Sequence, residues 1–334
     1  MSDEFIGKLE SFDRILLSTH EQPDADGIGS VLGLAWHLHT LGKETRIIVT
    51  PKLPDFLKFL DIKEWVECFD RNLHKSIAAW PDCWVLADAN ELSRLGPLKD
   101  SFLVTRASKA CIDHHLPSYD TKAFDFISSN PNASSTCELV LRALGFPKDF
   151  SSEMPVAMAQ ALYAGLTDDT GGFRFSNTTP IVFKMAAALL ERGVKPDVVY
   201  RGLHNHGTLA KMRITGIAFK GMRLYCDERL AVMTVSLADM ESVDAAYEDL
   251  DGLVNKPMEL RVVEVSVLVY EKPDGQVKVS MRSKSGFDVN VVCRLFGGGG
   301  HRLASGVNLP GPIASVLNDI IPVIIARIER DVEQ

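Results

Sequence analysis

The stretch His20-Glu21-Gln22-Pro23-Asp24-Ala25-Asp26-Gly27-Ile28-Gly29-Ser30 decides how the rest of the chain is read. It sets an imidazole and two carboxylates within seven residues, after the apolar run Ile15-Leu16-Leu17 and before a segment of helical periodicity. Proline and glycine among the acids favour a tight loop, and a spacing of two in a loop lets both acids converge on adjacent cations. The plainer alternative is an Asp-rich turn that caps a helix over residues 28–41. Three later segments bear on the choice.

Residues 14–19 read as a buried strand ending at His20, and Ile28, Val31, Leu32, Ala35 and Leu38 give the next segment one apolar helical face. Short apolar strands recur at 45–50, 83–87 and 110–112, separated by helical or loop segments. This alternation predicts a mostly parallel sheet with crossover helices. In such sheets ligands collect at the carboxyl ends of the strands. His20, Asp88 and the trio Asp113-His114-His115 each come just past a predicted strand, so three distant parts of the chain are expected on one rim.

Helices are expected over 134–144 and 155–167, the latter broken by Asp168-Asp169-Thr170-Gly171-Gly172, and from Thr179-Pro180 to Gly193. Residues 195–211 read as a helical connector. Beyond it the pattern turns β-rich at 230–236, 262–270 and 276–282, the last two joined by a Pro273-Asp274-Gly275 hairpin. Helices over 243–254, 289–295 and 313–328 complete the second half. The fold class is therefore α/β: a parallel-sheet domain over 1–194, a helical linker over 195–213 and a smaller α+β domain over 214–334.

The bulk numbers exclude several classes. With 334 residues, 46% of them hydrophobic, the chain is long enough for two cores. A net charge of −8 argues against a long duplex nucleic acid held on a broad basic face, but leaves room for a small phosphorylated ligand. No apolar run approaches the ~18 residues of a membrane span, and the start lacks the shape of a signal peptide, so a cytoplasmic location is expected. The six cysteines form no C-x-x-C pair and read as buried free thiols. His37, His39, His204 and His206 read as structural or surface residues, and the four tryptophans as packing.

Together the rim residues are His20, Asp24, Asp26, Asp88, His114 and Asp169, with His115 adjacent. Carboxylate and imidazole ligands without thiolate suit Mn²⁺ or a similar divalent ion better than structural zinc. Two ions roughly 3.5–4 Å apart can share a carboxylate and acidify a water for in-line attack on phosphorus. Four carboxylates against two divalent ions sum to about zero charge, which favours a phosphoester substrate. Asp113 reads as a support for a neighbouring imidazole, and His115 as a phosphate contact. The second domain is expected to add Arg282 and Ser283 at a strand end, a forked donor and a hydroxyl. The run Gly297-Gly298-Gly299-Gly300-His301 would bring backbone close to a ligand beside an imidazole; the plainer alternative is a flexible loop.

The segments His20-x3-Asp24-x-Asp26, Asp88, Asp113-His114-His115 and Asp169-Thr170-Gly171-Gly172 resemble the motifs of the DHH phosphoesterase superfamily. Arg282-Ser283 and the tail Gly297 to Gly306 resemble its DHHA1 domain. The resemblance covers essentially the whole chain and is nearest the nanoRNase/pAp phosphatase (NrnA-type) group, related to RecJ-type exonucleases. It implies one ion held by His20, Asp24 and Asp88 and another by Asp26, Asp88, His114 and Asp169, with Asp88 bridging. It favours Mn²⁺, with Mg²⁺ or Co²⁺ as substitutes. Asp88, Asp113 and His115 become the catalytic candidates, and His115, Arg282, Ser283, Asn290, Gly298, Gly299, Gly300 and His301 the substrate-binding ones. Asp169 is preferred to Asp168 because it opens the D-T-G-G run. A homodimer is implied by the resemblance alone.

The expected activity is hydrolysis of very short RNA to mononucleotides, or removal of the 3′-phosphate of pAp. The competing enzyme reading is a phosphodiesterase for cyclic dinucleotides or their linear products. From another class comes a nucleotide-binding sensor without catalysis, against which all six ligand positions are filled.

Overall fold

A computed structural model describes residues 2–147, 154–205, 207–284 and 286–330. The chain divides into two compact units, residues 1–206 and 207–334.

The first unit carries a six-stranded, all-parallel sheet: β1 Arg14–Ser18, β2 Glu44–Val49, β3 Val66–Cys68, β4 Cys83–Ala87, β5 Ser108–Asp113 and β6 Phe126–Ser129. Their spatial order is β3-β2-β1-β4-β5-β6. The chain winds outward one way from β1 and then returns to place β4 on the other side of β1. The winding direction reverses between β1 and β4, and in sheets of this kind ligands bind at the carboxyl ends of the strands at that point. Among the described residues, seven α-helices accompany the sheet: α1 Ser2–Leu9, α2 Ala25–Thr40, α3 Lys99–Val104, α4 Thr136–Ala143, α5 Val156–Asp169, α6 Pro180–Glu191 and α7 Pro196–His204.

Helix α2 is buried over nearly its whole length, and small residues make that possible. A Cβ at Gly29 would lie 2.5 Å from the Ala161 carbonyl of α5, and one at Gly165 would lie 2.9 Å from the Asp26 Cα. Since real Cβ atoms do not approach so closely, α2 and α5 touch backbone to backbone here, and the Cys137 side chain of α4 packs against both. Asp26 is thereby clamped between them.

The second unit holds a mixed sheet of order β11-β12-β10-β9-β8-β7, from β7 Arg223–Tyr225, β8 Leu230–Val235, β9 Val265–Glu271, β10 Gln276–Ser283, β11 Gly299–His301 and β12 Ala304–Pro310. β8 and β9 pair in parallel, and the other described pairs are antiparallel. Helices α8 Leu209–Lys220, α9 Leu237–Ser242, α10 Val289–Leu295 and α11 Ile313–Arg330 complete it. The expected hairpin joins β9 to β10, with Gly275 at φ 77°.

Two expectations need correction. No single helix spans 243–254: Asp244 (φ 54°) and Gly252 (φ 79°) interrupt it, leaving short 3-10 turns at Tyr247–Leu250 and Leu253–Glu259. The 195–211 connector is two helices, because Val199 and Leu203 bury one face of α7 in the first core while Ile214 and Ala218 bury α8 in the second. Of the cysteines, Cys83, Cys111, Cys137 and Cys293 are buried, whereas Cys68 is exposed and Cys226 half-buried; all six are free thiols. Among the described residues no helix is long and apolar enough to cross a membrane.

Candidate metal centre

In the opening stretch a helix cap and convergent possible ligand atoms coexist. Asp24 is the N-cap of α2 and accepts from the Gly27 amide at 2.9 Å, so it ends a turn and starts a helix. Asp26 sits in the first helical turn, not in a loop as expected, and points into the protein with no solvent exposure. His20 follows β1, Asp88 follows β4, and Asp113 is the last residue of β5. Asp169 is likewise helical, ending α5 where the sequence suggested a break.

These side chains gather into two groups that share Asp88. His20 Nε2 lies 3.3 Å from Asp24 Oδ2 and 3.4 Å from Asp88 Oδ2. His114 Nε2 lies 3.0 Å from Asp169 Oδ2, 4.0 Å from Asp26 Oδ2 and 3.7 Å from Asp88 Oδ1. The two oxygens of one carboxylate thus face different imidazoles. Asp88 adopts a left-handed φ of 61°, unusual outside glycine and best tolerated by Asp and Asn. Its amide still bonds the Ile112 carbonyl at 2.9 Å, so the carboxylate is turned across the strand ends without loss of the ladder.

The donor set suits divalent cations. His20 Nδ1 is 2.9 Å from the Glu21 carbonyl and His114 Nδ1 is 3.4 Å from that of Ala133, which leaves each Nε2 facing the acids. His20 Nε2 is buried without a properly aligned hydrogen-bond partner, as an unused ligand atom would be. His20, Asp24 and Asp88 offer one convergent set of ligand atoms, and Asp26, His114 and Asp169 a second. Asp169, not its neighbour Asp168, is the member of that set.

Without cations the charges strain against one another. Burial pushes the Asp26 carboxyl well up, and Asp88 and Asp169 add to it. Burial also raises Asp88, followed by repulsion from Asp24 and Asp169, against the pull of His20. Burial disfavours the His20 imidazolium, yet Asp24 and Asp88 outweigh it and lift the ring to about 10. Burial opposes His114 in the same way, and Asp169 and Asp26 carry it to about 9. Asp168 rises to about 6 through burial and the charges of Asp24 and Asp169. The balance of these shifts favours added positive charge among the acids.

Several supporting groups were not legible beforehand. The Thr136 and Cys137 amides, at the start of α4, donate to Asp26 at 2.6 and 2.8 Å. Thr136 Oγ1 donates to Asp88 Oδ1 at 3.0 Å. The sequence marks 134–144 as a helix, and free amides at a helix start are a general anion site. Asn177 Nδ2 bridges the carbonyls of Asp169 and Ser134, both at 3.1 Å. Asn90 donates to the buried Asp113 carboxylate, whose other oxygen lies 2.7 Å from His115 Nδ1.

The second unit places its expected groups as follows. Arg282 lies on β10 and gives one hydrogen bond to the Met281 carbonyl at 3.0 Å. Ser283 spends its hydroxyl proton on the Phe287 carbonyl at 2.7 Å, so it does not offer the donor expected of it. Asn290, in the first turn of α10, keeps a buried Oδ1 without a partner. The glycine run is neither a flexible loop nor wholly a ligand cradle. Gly299–His301 is strand β11, and a Cβ at Gly298 or Gly300 would meet β12 backbone within 3 Å. Gly297 and Gly299 face open space, and His301 is exposed.

The remaining described histidines read as structural or surface residues lie away from these acids or at the surface, with His39 and His204 exposed. His37 pairs with Glu10 at 2.8 Å, His39 meets the Trp65 edge, His204 the Tyr200 ring, and His206 lies outside the described residues. Trp84 is buried and donates to Ser18 Oγ at 2.8 Å.

Comparison with known proteins agrees with this layout. Residues 14–166 match the DHH family N-terminal domain and residues 227–330 the DHHA1 domain. The bifunctional oligoribonuclease and PAP phosphatase NrnA of Thermus thermophilus is 31% identical over 89% of this chain and 84% of its own. The NrnA of Bacillus subtilis is 26% identical over 92% and 93%. Among solved structures, an exopolyphosphatase-related protein from Bacteroides fragilis superposes with a TM-score of 0.86 at 28% identity, over 100% of this chain and 97% of that one. Two domain matches in the order of the two compact units, and a relative above 30% identity along most of both chains, establish that this chain belongs to the DHH/DHHA1 phosphoesterases, with the NrnA proteins among its relatives.

Proposed function

We propose that this phosphoesterase hydrolyses very short oligoribonucleotides to mononucleotides and removes the 3′-phosphate of pAp, using two divalent ions, Mn²⁺ foremost. The observation that carries the reading is the division of Asp88, one oxygen toward His20 and the other toward His114. His20, Asp24 and Asp88 would hold one ion, and Asp26, Asp88, His114 and Asp169 the other. Such a pair supplies Lewis-acid polarisation of the phosphoryl group and acidifies the attacking water. The protein holds its carboxylates ready: Asp26 between two amides, Asp88 against a threonine hydroxyl. His115, with Nδ1 committed to Asp113, has Nε2 left for a phosphate oxygen. Arg282, Asn290 and His301 of the DHHA1 unit are assigned to substrate phosphate and nucleotide. The substrate class is supported by the printed activities of the NrnA relatives and by the net charge of −8, which disfavours long strands.

The test is a panel with Mn²⁺: di- to pentaribonucleotides, pAp, cyclic di-AMP, its linear product pApA, and polyphosphate. The reading expects kcat/KM highest for the short oligonucleotides or pAp. A maximum at cyclic di-AMP or polyphosphate would overturn the substrate assignment, and no hydrolysis of any member would favour a sensor.

A further inference from the structure

His114 and His115 are adjacent in sequence, yet only His114 is half-buried among the acids, and His115 is exposed. The His114 side chain keeps 16% of its exposure and the His115 side chain 44%. His115 Nδ1 is 3.7 Å from Asp88 Oδ1, close enough to the centre that Asp88, His114 and His115 form a third convergent set of possible ligands. Something must decide whether His115 faces the ions or the substrate. Asp113 does so immediately, with Oδ1 at 2.7 Å from that same Nδ1. A carboxylate there demands a proton on Nδ1, and a protonated ring nitrogen cannot ligate a metal.

Asp113 in turn is held by Asn90. The Asn90 side chain is buried, and its Nδ2 reaches both Asp113 Oδ2 and the Leu116 carbonyl, the latter at 3.0 Å. Both partners can only accept, so the nitrogen and its two protons must face them. One amide thus grips the residues immediately before and after the two histidines. The same turn is tied again where Ser118 Oγ donates to the Asn90 carbonyl at 2.7 Å and the Leu92 amide donates to Asp120 Oδ2 at 2.8 Å. With Oδ2 pinned, the Asp113 carboxylate has its remaining oxygen fixed on His115.

We propose that Asn90 is a positioning residue: by gripping Asp113 and the Leu116 carbonyl it fixes the Asp113 to His115 hydrogen bond, which withholds His115 Nδ1 from the metal ligands and turns Nε2 toward substrate. The functional half rests on the reading that His115 meets the substrate phosphate. Aspartate at this position has the same shape and can donate neither bond, so the role depends on the amide itself.

The experiment is a double-mutant cycle in the full chain, Asn90→Ala with His115→Ala, with kcat/KM measured on a short oligoribonucleotide in Mn²⁺ and ions per chain counted by equilibrium dialysis. Asn90→Ala is expected to lower kcat/KM by about 10- to 100-fold, as loss of a partner outside the ligand shell does. In the His115→Ala background the same change is expected to cost less than about threefold, because its target is gone. In the Mg²⁺ form, the imidazole N–H resonance assigned to His115 by its loss in His115→Ala should vanish in Asn90→Ala. Equal losses in both backgrounds, or an unchanged resonance, would overturn the proposal. A His115→Ala enzyme as active as wild type would sink the substrate role of His115 and the functional half with it, while the resonance reports on the brace alone. Asn90→Asp replaces the alanine variant if that one fails to fold, with the same outcomes decisive.

Discussion

Replacing Asp88 by asparagine isolates the charge that both ligand sets share. Asparagine keeps the shape of the side chain and tolerates the φ of 61°, whereas alanine there would add backbone strain of about 1–2 kcal/mol unrelated to the ions. It can still accept from Thr136 Oγ1 through its one carbonyl oxygen. In the metal-free chain the change relieves a carboxylate that burial and neighbouring acids already drive toward its neutral form, so the apoprotein is expected to melt no lower than wild type. With metal the two proteins should part. Each ion at 100 times its dissociation constant stabilises the native state by about 2.7 kcal/mol. For a unit of 206 residues, at about 2–4 °C per kcal/mol, that is an upward shift of about 5–11 °C per ion. The wild type should show this shift and Asp88→Asn little of it at the same concentration. Losing several kcal/mol of transition-state stabilisation should lower kcat/KM by at least about 10³-fold. Differential scanning fluorimetry with and without Mn²⁺, beside a short-RNA assay, reads both. A variant that keeps the metal-induced shift and stays within tenfold of wild-type activity would refute the shared-ligand argument.

Other expectations concern neighbouring parts of the site. His114→Ala should lower the number of bound ions, whereas His115→Ala should leave it intact and lower turnover; dialysis and kinetics together distinguish them. Metal loading should release protons: in the metal-free fold His20 and His114 hold theirs up to about 10 and 9, while unfolded histidine gives its proton up near ~6.5. The imidazolium contribution to apoprotein stability is therefore complete below that lower value and fades as pH rises through the folded values, and apparent metal affinity should climb over the same window. Calorimetry in two buffers of different ionisation enthalpy checks this, and identical heats would contradict it. Gly29→Ala, which sets a methyl 2.5 Å from the Ala161 carbonyl, should destabilise the protein by about 1–3 kcal/mol in urea titration. Arg282→Ala should chiefly raise KM, and an unchanged KM would remove Arg282 from phosphate binding.

The strand ends were readable because parallel strands announce themselves as short apolar runs, and residues following them meet on one edge whatever the loops between them do. That logic located His20, Asp88 and Asp113 to His115 from the sequence. It could not show that Asp26 and Asp169 belong to helices, since an acid in a first or last helical turn looks the same in sequence as an acid in a loop. Nor could it find Asn90, Thr136 or Asn177, whose roles arise from hydrogen bonds across separations of 23, 48 and 43 residues. The glycine run misled for a related reason. Close approach was the right physics, but at Gly298 and Gly300 the approaching backbone is β12 of the same unit.

Anomalous diffraction from crystals grown in Mn²⁺ probes the shared carboxylate most directly. The account predicts two peaks roughly 3.5–4 Å apart, on either side of Asp88. A single peak, or a pair that Asp88 does not touch, would contradict it.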